Sequence, residues 1–146
     1  MTDYIALGTM LLIVALWAIT QVEKEDQLIQ LATLLGKPVD HGRLLVDRIV
    51  FLGVCVVIMS APLSTLWLFF PLAGVTWASF TILHRLLLNK ARKVFPWWYV
   101  STSNVYDRFW LGLTGGRVKP AGIAAYCFEL TVLAASVWAY IWITNT

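Results

Sequence analysis

The stretch Ile49–Leu83, IVFLGVCVVIMSAPLSTLWLFFPLAGVTWASFTIL, holds no Asp, Glu, Lys, Arg or His. Charges bracket it: Asp47 and Arg48 before, His84 and Arg85 after. A hydrocarbon core of ~30 Å takes about 20 apolar residues of helix. At ~1.5 Å per residue, a run of about 35 is too long for one crossing and fits two. Ser60-Ala61-Pro62-Leu63-Ser64 near its middle supplies the turn between them. The stretch reads as a transmembrane hairpin.

Composition points the same way. The chain is 146 residues, 60% hydrophobic, with a mean hydropathy of +0.76. Soluble domains hold roughly 45–50% apolar residues. Only closed backbone hydrogen bonding survives in lipid. Long apolar runs without polar–apolar alternation favour helices over a barrel. The expected class is an all-α membrane protein: one domain, residues 1–146, a bundle of four transmembrane helices with an amphipathic interfacial helix.

The spans fall at 4–20, 44–60, 64–87 and 122–143. The first lacks the basic n-region and cleavage site of a signal peptide, with Asp3 its only charge, and is expected to be retained. The loop at 21–43 begins with Glu23-Lys24-Glu25-Asp26 and continues as an amphipathic helix through Leu28, Ile29, Leu31, Ala32 and Leu35. This helix either prolongs span 1 out of the membrane or bends along its surface. Gly36 before Lys37-Pro38 is a helix stop. Ser64 can cap span 3, and Pro71 within that span predicts a kink.

The loop at 89–120 opens with Lys90, Arg92 and Lys93 beside Trp97, Trp98 and Tyr99. Basic and aromatic residues together mark the headgroup layer. A short helix follows, with Val105, Tyr106, Phe109, Trp110 and Leu113 on one face and Asp107 and Arg108 opposite. Asn104 and Asp107 are spaced for a capping box, and Gly115-Gly116 ends the helix. Its expected position is the interface plane, with Phe109 and Trp110 as anchors.

All eleven Lys and Arg residues lie in these two loops or at the span ends touching them. By the positive-inside rule, both long loops are cytoplasmic and both termini outside. An odd number of spans would divide the basic residues between the two sides.

In span 4, Ala125, Glu129, Val132, Ser136, Ala139 and Ile143 repeat at spacings of four and three. Small residues on such a seam let helices approach closely in lipid, which marks a packing face. Glu129 is the exception on that face. An ionisable residue in a span needs a partner, and Arg48, His84 and Arg85 lie at similar depth. Asp47 can pair with Arg48, Arg85 or Glu129. The polar cluster Glu129, Arg48, Asp47, His84 and Arg85 has three readings: an ion-paired device that fixes helix register, a proton- or cation-coupling site, or a contact to a partner protein.

Chemistry beyond that finds no pattern. His41 and His84 sit on different elements, and Cys55 and Cys127 have no metal-site spacing, so neither metal nor cofactor is expected. Ser101, Thr102 and Ser103 have no accompanying base. Gly112-Leu113-Thr114-Gly115-Gly116 is too loose for a phosphate loop. Anionic lipid headgroups explain the basic loop better than nucleic acid does. Small multidrug transporters carry their membrane carboxylate in the first span, which here has none. Four-span glutathione-metabolising enzymes carry an Arg/His/Asn/Glu pattern in the second span, where Arg43 to Gly53 offers only Arg43, Asp47 and Arg48.

The leading expectation is a structural or accessory subunit, assembling with itself or with a larger membrane complex. The alternatives are a small oligomeric transporter or channel coupled through Glu129, and a membrane enzyme acting on a lipid or thiol substrate.

Overall fold

A computed structural model describes residues 2–36, 41–60, 66–93, 99–100 and 105–145. These form α1 (Thr2–Leu35), α2 (His41–Ser60), a 3-10 turn (Leu66–Leu68), α3 (Phe69–Ala91), α4 (Val105–Leu113) and α5 (Val118–Asn145). Every regular element among the described residues is helical. Two helices, Tyr4–Leu35 and Val118–Asn145, are long and apolar enough to cross a membrane.

α1 runs unbroken to Leu35, so the amphipathic 21–35 segment prolongs the first apolar stretch instead of bending away. Nothing in that segment breaks a helix before Gly36, which adopts a left-handed φ of 62° and returns its N–H to the Thr33 carbonyl. Pro71 falls in the first turn of α3, directly after the 3-10 turn. An N–H missing there costs no intrahelical bond, so the expected mid-span kink is instead a change of helix type at the start of α3. α5 begins at Val118, a turn earlier than the expected start, with Pro120 tolerated in its first turn for the same reason. Gly115 and Gly116 end α4 with positive φ, the latter donating to the Leu111 carbonyl at 2.7 Å. Ser64, Asn104, Trp97, Trp98 and the Lys37-Pro38 pair lie outside the described residues.

α3 is the hub and packs against α1, α2 and α5. Its buried residues occur all round the helix, including Leu72, Val75, Thr76, Ala78, Phe80 and His84. The main core joins Met10, Val14 and Ala18 of α1 with Val56 of α2, Leu72, Val75 and Phe80 of α3 and Tyr140 of α5. Trp17 stacks on Phe51 at 4.1 Å and tilts against Phe80 at 4.8 Å, linking α1, α2 and α3. A second aromatic group, Trp77, Tyr106, Trp110 and Phe128, links α3, α4 and α5.

The seam on α5 meets α3. Ala125 and Glu129 are buried, and Val132, Ser136, Ala139 and Ile143 half-buried. A Cβ on Gly74 would lie 2.1 Å from Ser136 Oγ and 3.1 Å from its Cβ. This close approach needs glycine on one helix and a small residue on the other.

The outer surface is unusual. Leu12, Leu16, Val54, Ile58, Trp138 and Trp142 are all at least half exposed. On α3 and α5 the threonine hydroxyls are satisfied within the helix: Thr76, Thr81, Thr131 and Thr144 each donate to the carbonyl four residues back, at 2.7–2.9 Å.

Candidate functional site

One end of the bundle gathers the charges. Glu25 on α1, Arg48 on α2, His84 and Arg85 on α3, Asp107 on α4 and Glu129 on α5 lie at one level, in two adjoining groups.

The first group joins α1, α2 and α3. Arg48 Nη2 donates to Glu25 Oε2. His84 Nε2 lies 3.0 Å from the same carboxylate oxygen and 3.0 Å from Arg48 Nη2. The His84 ring stacks on Phe80 at 5.2 Å, and the Arg48 guanidinium sits 5.8 Å from that ring's centre. The burial of Glu25 has a sequence cause. Met10, Val14, Ala18 and Val22 form the buried stripe of α1, and Glu25 is its next position. A carboxylate there must find a cation. Sequence reasoning missed it because Glu25 lies in a run of four charges that looks solvated. The signal was its register with the apolar stripe. Just outside, Lys24 pairs with Asp47 at 3.2 Å, with both side chains substantially exposed. Asp47 thus joins neither Arg85 nor Glu129.

The second group joins α3, α4 and α5. Among the partners considered for Glu129, Arg85 is the one that reaches it. Arg85 Nη1 donates to Glu129 Oε2 at 3.3 Å, and Nη2 lies 2.9 Å from Oε1, within ion-pair reach although that buried oxygen accepts no hydrogen bond among the described residues. Arg48 and His84 pair with Glu25 instead. Arg85 Nη2 also reaches Asp107 at 3.4 Å. The Arg85 guanidinium is sandwiched near two rings, 4.9 Å from Tyr126 and 5.6 Å from Tyr106. Glu129 is fully buried. Burial, with the Glu129 charge adding to it, pushes the Tyr106 phenol up to about 12.

α4 turns one acidic residue toward the bundle. Asp107 and Leu111 face inward, whereas Val105, Phe109 and Leu113 are 58–73% exposed. Tyr106 and Trp110 lie between, half-buried. Of the two charged residues expected on one face, Asp107 is buried and Arg108 exposed. Arg85 accounts for the inward turn of Asp107, because a buried guanidinium near one carboxylate draws a second, and Val105, Phe109 and Leu113 are left outside. Of the expected aromatic anchors, Phe109 is exposed and Tyr99 half-buried, its carbonyl accepting from Asn89 Nδ2 at 3.3 Å.

A cavity of about 250 Å³ opens beside the charge layer, between α2 and α4 and along one face of α3. Its floor is Leu52, Trp77 and Phe80; Arg48 and Arg85 line its middle, and Arg92 and Tyr99 its far end. Among the described residues, no three His, Cys, Asp or Glu side chains gather as a metal set. Cys55 and Cys127 are both free thiols. No protein family model, curated protein or solved structure matches the chain.

Proposed function

We propose that this chain is a four-span membrane protein acting as a structural or accessory subunit, with the charge layer as the clasp that fixes its helices in register. α1, α2, α3 and α5 are the spans. The apolar segments on one side of the clasp are Tyr4–Gln21, Ile49–Ser60, Leu66–Leu83 and Leu130–Asn145. At ~1.5 Å per residue these are roughly 18–27 Å long against a hydrocarbon core of ~30 Å, the α2 segment being the shortest. Exposed leucine, isoleucine, valine and tryptophan around them fit contact with lipid or a partner, since soluble monomers rarely expose contiguous apolar surface. The basic residues flank the clasp side. This supports cytoplasmic loops 21–43 and 89–120, with both termini outside.

The observation that carries the subunit reading is the pairing. Each buried carboxylate among the described residues, Glu25, Asp107 and Glu129, faces an arginine from another helix. A buried carboxylate ion-paired with an arginine of another helix is suited to holding register. A coupling site needs a carboxylate that can release its counter-ion and bind a proton or cation in turn. Assembly would use the apolar outer faces of α1 and α5, which are mostly unburied within the single chain.

Three measurements test this. Terminal reporter tags should both lie outside, and native mass in mild detergent should give a defined oligomer or complex. Vesicles holding the wild-type protein should carry no pH-dependent flux. The Glu129→Gln variant should have smaller assemblies and no flux to lose. Tags on opposite faces would refute the topology. A proton-coupled flux abolished by Glu129→Gln in a folded protein would replace the subunit reading with transport.

A further inference from the structure

We propose that the cavity between α2 and α4 binds the phosphate group of an anionic phospholipid, with its chain leaving along Ile49 and Leu52. This rests on the membrane reading above and goes beyond it by naming a site and its occupant.

The pattern along α3 is the starting point. Trp77, Thr81, His84, Leu88 and Arg92 all line the cavity at three- and four-residue spacing, so they form one stripe. From Trp77 to Arg92 the stripe is roughly 22 Å long at ~1.5 Å per residue. It runs from apolar to cationic: Leu52, Trp77 and Phe80 at one end, Arg92 at the other. An anionic amphiphile has the same polarity and length scale, with its charge at the headgroup level and its chain in the apolar layer. Ile49, on the α2 rim, is 61% exposed, so the wall is open sideways to whatever surrounds the helices.

One buried donor at this site has no acceptor among the described residues. Arg48 Nε is buried without a hydrogen-bond partner, although its Nη2 serves Glu25. The half-buried Arg92 forms no ion pair among the described residues, unlike Arg48 and Arg85. A buried donor left unpaired is costly, and phosphate oxygens are strong acceptors for arginine. The lining carboxylates, Glu25 and Asp107, are already held by Arg48 and Arg85. Charge at the cavity's end is therefore set by Arg92, with Lys90 and Lys93 exposed nearby. A volume of about 250 Å³ lies just below the ~300–1,000 Å³ of drug-sized pockets. It suits a headgroup and the start of a chain, with the remainder of the lipid outside.

The test uses the full chain purified in neutral detergent. Its thermal midpoint is followed against added phosphatidylglycerol, phosphatidylcholine or inorganic phosphate. Phosphatidylglycerol should raise the midpoint saturably, while the other two leave it unchanged. Arg92→Gln should raise the half-saturating lipid concentration about tenfold, the loss of one charge-assisted hydrogen bond. Leu52→Trp, which fills the floor, should weaken the response similarly. Lys90→Gln, close by but outside the cavity, should leave it unchanged. Equal shifts with both lipids, or full responses in Arg92→Gln, would overturn the site. A shift with inorganic phosphate alone would overturn the lipid assignment. Retention of the chain in alkaline carbonate-washed membranes reads the membrane proposal separately, so either idea can fail without the other.

Discussion

Replacing Arg85 by leucine removes the cation between two buried carboxylates. In the native arrangement Arg85 makes a 2.9 Å and a 3.3 Å contact to Glu129 and a 3.4 Å contact to Asp107. Glu129 and Asp107 would then lose the cation they share. Glu129 is fully buried, so water cannot take over the role of the guanidinium. Breaking a buried pair from one side costs about 3–5 kcal/mol. The cost of Glu129→Gln is smaller. The carboxamide keeps the shape and one acceptor, and Arg85 keeps Asp107. The loss is the difference between a charge-assisted and a neutral hydrogen bond, about 1–2 kcal/mol. The double variant Arg85→Leu/Glu129→Leu removes both charges together. It should recover at least ~2 kcal/mol relative to Arg85→Leu, because apolar replacements of a buried ion pair are often tolerated. The assay is reversible unfolding of the purified protein in mixed micelles, followed by circular dichroism on all four proteins. An Arg85→Leu cost below ~1 kcal/mol would refute the clasp. So would a double variant no more stable than Arg85→Leu.

Gly74→Val should destabilise the α3–α5 contact by roughly 1–3 kcal/mol, since its new carbons enter the space of Ser136. Ser136→Gly in the same background should restore most of the loss in the same unfolding assay. On α4, a nitroxide label at Phe109 or Leu113 should be relaxed by lipid-soluble oxygen more than by a water-soluble nickel chelate. A label at Arg108 on exposed backbone beside it should report more chelate, and equal accessibility at all three sites would refute a lipid-facing stripe on α4.

Much of the architecture is local and was legible in the residues. Apolar runs uninterrupted by charge determine helices, because a backbone with no water nearby must bond to itself. Gly36 and Gly115-Gly116 end helices through a backbone conformation that side chains disfavour, a property of single positions. The small-residue spacing on α5 and the need of Glu129 for a cation are likewise properties of one helix, readable in isolation.

Which cation Glu129 finds is not. Arg48, His84 and Arg85 occupy similar positions along their helices, and position along a helix is all that each segment conveys by itself. Rotation of α2 turns Arg48 toward α1, where Glu25 continues the stripe begun by Met10 and Val14, and this leaves Arg85 for α5. The same rotational freedom explains α4. Its two faces are both plausible by pattern, with apolar residues on one and acidic on the other. Only the position of Arg85 across the interface decides that Asp107 points inward and Phe109 outward. Periodicity specifies which residues share a face. Long-range electrostatic pairing between helices, which depends on azimuth and not on spacing, selects the neighbour that face meets.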